Sequence, residues 1–224
     1  MVSVMHDLVF LFDVDNTLLD NDRVQADLRA YLAENFGRNA CDRYWKLFEE
    51  MRATIGYADY LGALQRYRLE ALHNPRVLRM ANWFIEYPFA DRLFPSAVEA
   101  VRRAQDLGTA VILSDGDAAF QPRKVERSGL WKLFGDNVLI YVHKEMELDD
   151  VERFYPASHY VLVDDKLRIH AAVKKLWGDR VTTVFVRQGH YAHDPEYMKD
   201  LPPTDLTIDT IAHFLALTRE AFIR

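Results

Sequence analysis

Residues 7–20 read DLVFLFDVDNTLLD, and this stretch decides how the rest of the chain folds. Its apolar run from Leu8 to Phe12 is too short for a helix and lacks helical spacing, which is typical of a strand buried on both faces of a parallel sheet. The run ends at Asp13 and Asp15, and two carboxylates at the end of a buried strand are costly unless positive charge lies on them. Because ligands bind at the carboxyl edge of open α/β sheets, the stretch predicts a metal ion, a phosphorylated ligand, or both at this point.

The composition is ordinary for a globular protein and excludes several classes. The 224 residues suit one large domain, or one domain that carries an insertion. The net charge of −6, without a dense stripe of Lys and Arg, argues against nucleic acid as a partner. A single cysteine, Cys41, excludes an internal disulfide framework. No apolar run has the length of a membrane span and the N-terminus lacks a signal-peptide pattern, so we expect a cytoplasmic enzyme without a membrane partner.

After Asp20 the pattern changes from strand to helix. Apolar and aromatic residues recur at three- and four-residue spacing, which predicts four helices, over residues 22–36, 40–53, 58–72 and 75–87. We expect these helices to form a small bundle over residues 21–91. Its aromatic residues are predicted to form the core of the bundle: Tyr44, Trp45, Phe48, Tyr60, Tyr67, Trp83, Phe84 and Tyr87.

From residue 95 onward, predicted helices and strands alternate. The strands are expected at residues 109–113, 137–142, 159–163, 181–186 and 206–208. The helices are expected at residues 95–107, 118–128, 147–155, 166–177 and 209–221. Strands separated by helices imply right-handed crossovers, so the sequence predicts an α/β fold with a Rossmann-like parallel sheet covered by helices on both faces.

Polar residues follow four of the predicted strands, and a parallel sheet brings them to one edge. They are Asp13 with Asp15, Ser114, Lys144, and Asp164 with Asp165. These residue types suit phosphoryl transfer. One aspartate can attack phosphorus, and a second can protonate the leaving oxygen and later deprotonate a water. A hard divalent cation, Mg²⁺ above all, would neutralise the carboxylates, while a lysine and a hydroxyl hold the phosphate.

The four motifs resemble those of the haloacid dehalogenase (HAD) superfamily. Residues 12–17, FDVDNT, resemble its first motif, Ser114 its second, Lys144 its third, and residues 163–165, VDD, its fourth. The resemblance covers the sheet domain from residue 7 to about 190. It implies a HAD core over residues 1–20 and 92–224, with the helical bundle of residues 21–91 inserted as a C1-type cap that closes over the site.

The resemblance also implies roles for the acidic residues. Asp13 would be the nucleophile and Asp15 the general acid and base. Mg²⁺ would be held by the carboxylates of Asp13 and Asp165 and by the backbone carbonyl of Asp15. Asp164 would act through a water or from the second shell of the metal, and the sequence leaves open which member of the Asp164–Asp165 pair binds the metal directly.

The phosphate group would be held by Ser114 and by backbone N–H groups at Val14, Asp15 and Asp115. Lys144 would pair with Asp13 and with the phosphate. Two positions depart from the family pattern: Asn16 stands where glycine is commonest, and Glu145 follows the third-motif lysine where proline is frequent. Neither departure removes a reacting group.

Asp15 favours phosphate-ester hydrolysis, because dehalogenases of this family lack an acid two residues after the nucleophile. We therefore expect a phosphatase of a small phosphorylated substrate, acting as a monomer or homodimer. A phosphotransferase or mutase, a dehalogenase, and a non-catalytic HAD-fold binding protein remain open alternatives. A signalling receiver module, suggested by residues 161–168, is rejected because only about 60 residues follow and no later strand ends in an acceptor aspartate.

Some of these polar residues also have a purely structural interpretation. Ser114 and the Asp164–Asp165 pair could cap the helices that follow them. Asp117 and Lys124 are predicted to belong to an exposed helix, and the tract with His190 and His193 is predicted to be a loop without a metal site. Four arginines of the bundle are candidates for binding a second anionic group of the substrate: Arg23, Arg43, Arg52 and Arg66.

Overall fold

The computed structural model describes residues 5–223. Six strands form one sheet: β1 His6–Phe12, β2 Thr109–Asp115, β3 Val138–Tyr141, β4 Ala157–Asp164, β5 Val181–Val186 and β6 Leu206–Ile208. Every neighbouring pair is parallel, and the strand order is β3-β2-β1-β4-β5-β6. The predicted parallel α/β sheet is confirmed. The order changes direction at β1, so the crevice for a ligand lies at the carboxyl end of this strand.

Four helices follow β1 in the region where four were predicted: α1 Asn21–Phe36, α2 Arg38–Ile55, α3 Tyr60–Glu70 and α4 Pro75–Glu86. We call residues 21–86 the helical insertion. The remaining helices follow the alternating pattern: α5 Ala97–Leu107, α6 Phe120–Arg127, α7 Leu130–Phe134, α8 Leu148–Phe154, α9 Leu167–Trp177, α10 Pro195–Met198 and α11 Arg219–Phe222.

The β1 strand is buried on both faces, which explains its unbroken apolar sequence. Phe10 and Phe12 pack into the larger hydrophobic cluster of the molecule, whereas Val9 and Leu11 pack into the cluster on the opposite face. Successive side chains of a strand point to opposite faces, so the alternation follows directly from the strand geometry. The strand therefore anchors Asp13, the next residue, in the centre of the sheet edge.

The helical insertion leaves and re-enters the sheet domain at one place. The N–H of Asp20 donates to the carbonyl of Arg92 (2.7 Å), and the N–H of Phe94 donates to the carbonyl of Leu18 (2.9 Å). The outgoing and returning segments consequently lie side by side next to the end of β1. The aromatic residues expected in the core of the insertion are buried there or packed against it, and that core is continuous with one face of the sheet.

The C-terminal segment differs from the prediction of one helix over residues 209–221. It forms a 3₁₀ helix, Ile211–Ala216, followed by the four-residue α11. Ile211 and Phe214 are three residues apart, and this spacing places both on one face of a helix with three residues per turn. The rings of Phe214 and Phe222 pack against Phe10 at centroid distances of 6.0 and 5.1 Å. Packing onto the sheet thus overrides the α-helical pattern.

Candidate active site

Asp13 and Lys144 form the centre of the site. Asp13 follows the last residue of β1, and its N–H donates to the carbonyl of Val163, which fixes it beside the end of β4. The Lys144 amine lies 2.6 Å from Oδ1 of Asp13 and 2.6 Å from Oδ2 of Asp164. All three side chains are buried. The residues that the sequence placed at three separate strand ends are therefore in direct contact.

Asp164 and Asp165 have different surroundings. Oδ1 of Asp164 accepts a hydrogen bond from the N–H of Lys166 (2.8 Å), and its Oδ2 pairs with Lys144. Asp164 therefore fixes the turn before α9, whose N-terminus has no side-chain cap. Both carboxylate oxygens of Asp165, and Oδ2 of Asp13, are buried and lack a hydrogen-bond partner among the described residues. Buried polar atoms without a hydrogen-bond partner destabilise the fold unless a ligand contacts them.

The buried charges shift the pKa values of these groups. Burial raises the pKa of Asp13 to about 6, although Lys144 acts in the opposite direction. Burial also raises the pKa of Asp165 well above its usual value. Burial acts to raise the pKa of Asp164 as well, but Lys144 and Lys166 hold it below its usual value. The site thus contains one firmly ionised carboxylate and two whose charge is poorly compensated.

The three carboxylates fit a divalent cation. One oxygen from each of Asp13, Asp164 and Asp165 can be chosen so that all lie within 4.8 Å of one another. Carboxylate oxygens are the ligands that Mg²⁺ prefers, and a bound cation would satisfy the atoms that lack hydrogen bonds. His190, in the tract predicted to be a loop, contacts Asp22 through Nδ1 (2.6 Å).

Asp15 is held by a lysine that the sequence analysis misassigned. Lys124 was expected on an exposed helix, but its side chain is fully buried, so that prediction is wrong. Its amine lies 2.7 Å from both carboxylate oxygens of Asp15 and 3.1 Å from Oδ1 of Asn21. One sequence feature points to this burial: Phe120 and Lys124 are four residues apart, which places both on the inner face of α6.

Ser114 lies at the end of β2 with its side chain buried. Its Oγ accepts a hydrogen bond from Nε2 of Gln121 (3.0 Å), and it does not cap α6. Asp117 performs that function, because its Oδ1 accepts hydrogen bonds from the N–H groups of Ala119 and Phe120. The helix-cap interpretation of Ser114 is therefore wrong.

The other residues expected around a phosphate group also have structural contacts. Oδ1 of Asp115 accepts a hydrogen bond from the N–H of Lys144 (2.8 Å), which joins the ends of β2 and β3. Val14 is buried, and its carbonyl accepts hydrogen bonds from the N–H groups of Leu18 (3.0 Å) and Leu19 (2.9 Å). These contacts fix the tight turn after Asp13.

A pocket opens beside these residues, between the sheet edge and the helical insertion. The insertion contributes Arg52, Gly56, Tyr57, Ala58 and Tyr60, and the sheet domain contributes Asp15, Asp115, Gly116, Gln121, Lys166, Arg168 and Tyr191. Three of the lining residues carry positive charge and two, Asp15 and Asp115, are acidic, and Arg52 also donates to the hydroxyl of Tyr191. The positive charges could contact an anionic group of a ligand.

Among the four candidate arginines, only Arg52 lines this pocket. Arg23 pairs with Asp27 (3.2 Å), and Arg43 donates to the two carboxylate oxygens of Glu70. Arg66 is exposed. Lys166, Arg168 and Tyr191 were not identified as site residues from the sequence, and nothing in their local pattern distinguishes them from ordinary loop and helix residues.

The first-motif turn is locked to the loop that carries Tyr191. Asn16 adopts a positive φ of 61°, a conformation that asparagine tolerates well, so it replaces the expected glycine without strain. Its side chain exchanges hydrogen bonds with Asp22, which in turn accepts from the N–H of His190 (2.7 Å). A side chain at Gly189 would lie 2.5 Å from Asn16, so this close approach requires glycine.

Comparison with known proteins agrees with this geometry. A family model for haloacid dehalogenase-like hydrolases matches residues 8–191. The chain belongs to this family. A haloacid dehalogenase-like hydrolase from Burkholderia xenovorans LB400 shares 56% sequence identity, with 96% of this chain and 98% of that one covered and a TM-score of 0.92. The resemblance stated from the four motifs is thus confirmed. A search of curated proteins found no match.

More distant members of the HAD family share the fold. L-2-haloacid dehalogenase from Xanthobacter autotrophicus has 18% identity and a TM-score of 0.63, with 94% of this chain and 98% of that one covered. The magnesium-bound HAD hydrolase YfnB from Bacillus subtilis has 16% identity and a TM-score of 0.61, with 94% and 99% covered. Within residues 5–223 of the present chain, none of the helices has both the length and the apolar character needed to cross a membrane.

Proposed function

We propose that this HAD hydrolase cleaves a small phosphomonoester with Mg²⁺ bound, through an aspartyl-phosphate on Asp13. The observation that carries the proposal is the Asp15 carboxylate, which lines the site pocket two residues after the nucleophile. An alkoxide leaving group needs a proton from such an acid, whereas a halide does not. An acid at this position would serve no purpose in displacing a halide.

In the proposed first step, a carboxylate oxygen of Asp13 forms a bond to phosphorus while the bond from phosphorus to the ester oxygen breaks. Asp15 gives its proton to the departing oxygen, which leaves as an alcohol. Lys144 holds Asp13 through a 2.6 Å contact, and the Ser114 hydroxyl would donate to a phosphate oxygen. In the second step, Asp15 removes a proton from a water, which attacks the phosphorus and releases Asp13.

The metal would be held by Asp13 and Asp165, with the backbone carbonyl of Asp15 as a further ligand. Asp165 is the better direct ligand of the fourth-motif pair, since its oxygens are free of hydrogen bonds while those of Asp164 are engaged. When bound, Mg²⁺ would supply charge neutralisation between the carboxylates and the phosphate. Without it, the three buried carboxylates of Asp13, Asp164 and Asp165 face two lysines, Lys144 and Lys166, as the nearest positive charges.

The cap domain would span residues 21–91, which include the helical insertion, and the core would comprise residues 1–20 and 92–224. Its contribution of Arg52, Tyr57 and Tyr60 to the pocket supports this proposal. The paired segments at Leu18 and Phe94 would be the hinge. Interdomain movement is described for the magnesium-bound YfnB protein, which has the same fold. Closure of such a cap excludes water and selects the substrate.

Dehalogenation of a 2-haloacid is the second candidate, because three proteins with this fold are L-2-haloacid dehalogenases. The two activities separate in one experiment. Phosphate release from a panel of phosphomonoesters and halide release from 2-chloropropionate would be measured in parallel, with Mg²⁺ and with EDTA. The comparison would include Asp13→Asn and a matched control, Asp42→Asn, whose side chain is exposed on α2.

We expect wild type and Asp42→Asn to release phosphate only with Mg²⁺, and Asp13→Asn to release none. Halide release that persists in EDTA would overturn the phosphatase proposal in favour of a dehalogenase. Transfer of phosphate to an added alcohol in place of water would identify a phosphotransferase. A protein that binds Mg²⁺ but consumes no ester and no haloacid would contradict an enzymatic function.

A further inference from the structure

We propose that Lys124 is a positioning residue that sets the orientation of the Asp15 carboxylate for proton transfer. This inference rests on the proposed function, because it assigns Lys124 through the role of Asp15. Lys124 lies outside the four motifs, yet its side chain is fully buried and its amine has three oxygen partners. An ammonium group has three donors, so every donor is used.

Asp15 depends on Lys124 for its orientation. Among residues 5–223, the hydrogen bonds to the Asp15 carboxylate come from the Lys124 amine, at 2.7 Å to each oxygen. The carboxylate itself is 23% exposed, so it would otherwise rotate towards solvent. The third donor binds Oδ1 of Asn21 at 3.1 Å, which ties the arrangement to the first residue of α1. Lys124 therefore selects one rotamer of Asp15.

The helix that carries Lys124 is firmly held. Phe120, one turn earlier on α6, packs its ring against Tyr60 at 5.0 Å and against Phe84 at 5.6 Å. On the outer face, Arg123 donates to the carbonyl of Ile85 and Arg127 to that of Glu86, both at 3.0 Å. The α6 helix thus joins the sheet domain to α3 and α4. A catalytic group is precise when its supporting residue lies on such a rigid element.

The orientation matters for a specific step. When the bond from phosphorus to the ester oxygen breaks, the electron pair stays on that oxygen, and the Asp15 proton must reach it within hydrogen-bond distance. A misdirected carboxyl group slows this step most for alkyl esters, because an alkoxide is a poor leaving group. p-Nitrophenolate leaves readily without a proton. Loss of Lys124 should therefore affect the two kinds of ester differently.

The test compares kcat for p-nitrophenyl phosphate with kcat for an alkyl phosphate such as glycerol phosphate, in wild type and Lys124→Met. We expect a loss of roughly 30-fold or more with the alkyl ester and less than about 3-fold with the nitrophenyl ester. Asn21→Ala removes one of the three partners and should give the same pattern on a smaller scale. It also provides a milder variant should Lys124→Met fail to fold.

Lys174 provides a matched control. Its amine likewise contacts both carboxylate oxygens of one aspartate, Asp205, at 3.0 and 2.8 Å, and the carbonyl of Val181 at 2.8 Å. It lies in the last turn of α9, away from the pocket. Lys174→Met should lower thermal stability but leave the ratio of the two kcat values unchanged.

Two further measurements distinguish a lost orientation of the Asp15 carboxylate from a general disturbance of the structure by Lys124→Met. In an Asp15→Asn background, Lys124→Met should change kcat for the alkyl ester by less than about 2-fold, because the group that it positions has already lost its function. A crystal structure of Lys124→Met should show Asp15 in a different rotamer. Equal losses with both esters, or an unchanged Asp15 rotamer, would overturn the role of Lys124 while the proposed function stands. A wild type that hydrolyses neither ester would overturn both.

Discussion

The amine of Lys144 lies 2.6 Å from Oδ1 of Asp13, although 131 positions separate the two residues in the sequence. Both side chains are buried, and the Lys144 amine also pairs with Asp164 (2.6 Å), so one lysine compensates two buried carboxylates. Breaking a buried ion pair by removing one partner leaves an uncompensated charge, which costs more than the pair itself contributes.

Lys144→Met is therefore expected to lower the free energy of unfolding by about 3–5 kcal/mol. It should also reduce phosphate release by at least about 100-fold, because the charge beside the nucleophile is lost. Urea unfolding and steady-state assays would measure both effects. Lys175→Met, at an exposed position on α9, is the control and should change stability by less than about 0.5 kcal/mol. A stable and active Lys144→Met protein would contradict this account.

Asp164 and Asp165 are adjacent, but their asparagine variants should behave in opposite ways. Asp164→Asn weakens the contact with Lys144 and should destabilise the metal-free protein. Asp165→Asn removes a buried carboxyl whose pKa burial raises, and should stabilise the metal-free protein by on the order of 1 kcal/mol. Urea unfolding in EDTA and calorimetric Mg²⁺ titration would test this. Asp165→Asn should show the larger loss of Mg²⁺ affinity, and the reverse order would refute the ligand assignment.

Mg²⁺ affinity should depend on pH. The pKa of Asp13 is raised by burial to about 6, and a metal binds the carboxylate form, so protons compete with the metal below that pH. Affinity should fall about tenfold or more for each pH unit below 6, since the pKa of Asp165 is raised too. Calorimetry between pH 5 and 8 would measure the slope, and a flat profile would contradict this interpretation.

The raised pKa of Asp13 also makes the stability of the metal-free protein depend on pH. A carboxyl with a raised folded-state pKa favours the native state while it is protonated. The metal-free protein should therefore lose stability as pH rises from 3.8, the ordinary value, to about 6. Added Mg²⁺ should restore this stability, so the rise in Tm on adding Mg²⁺ should be larger at pH 7.5 than at pH 5.

Asp22 should stabilise the loop that carries Tyr191. Burial acts to raise the pKa of Asp22, but hydrogen bonds from His190 and Asn16 hold it below the ordinary value. The resulting stabilisation is present above pH 3.8 and is lost as pH falls through the lowered pKa. At pH 6, Asp22→Asn should cost about 1 kcal/mol and increase hydrogen exchange in residues 187–193. Unchanged exchange, relative to the Asp42→Asn control, would refute the contact.

The sheet and most of the motif positions could be predicted from the sequence, because they depend on local patterns. Asp13 follows a five-residue apolar run, and such runs define buried strands whatever the rest of the chain does. The fourfold recurrence of polar residues at strand ends then placed Ser114, Lys144 and Asp164 at one edge without knowledge of their contacts.

The missed residues depend on tertiary contacts. Lys124 on a helix is ordinarily solvated, and its partner Asp15 is 109 positions away, so its four-residue spacing from Phe120 alone does not reveal the buried ion pair. Lys166 and Tyr191 line the pocket only because the start of α9 and the loop after β5 both lie beside it. The C-terminal segment was predicted as one helix, because the spacing of its apolar residues does not show that Phe214 and Phe222 pack against Phe10.

We propose that water releases Asp13 by attack at phosphorus and not at the carboxyl carbon of Asp13. Turnover of p-nitrophenyl phosphate in heavy-oxygen water, with Mg²⁺, distinguishes these two sites of attack by mass spectrometry of the phosphate and of the peptide that contains Asp13. We expect the label in the released phosphate and none in Asp13. If 2-chloropropionate is turned over and the label appears in the Asp13 carboxylate, water attacks the carbon of an ester intermediate, and the protein is a dehalogenase.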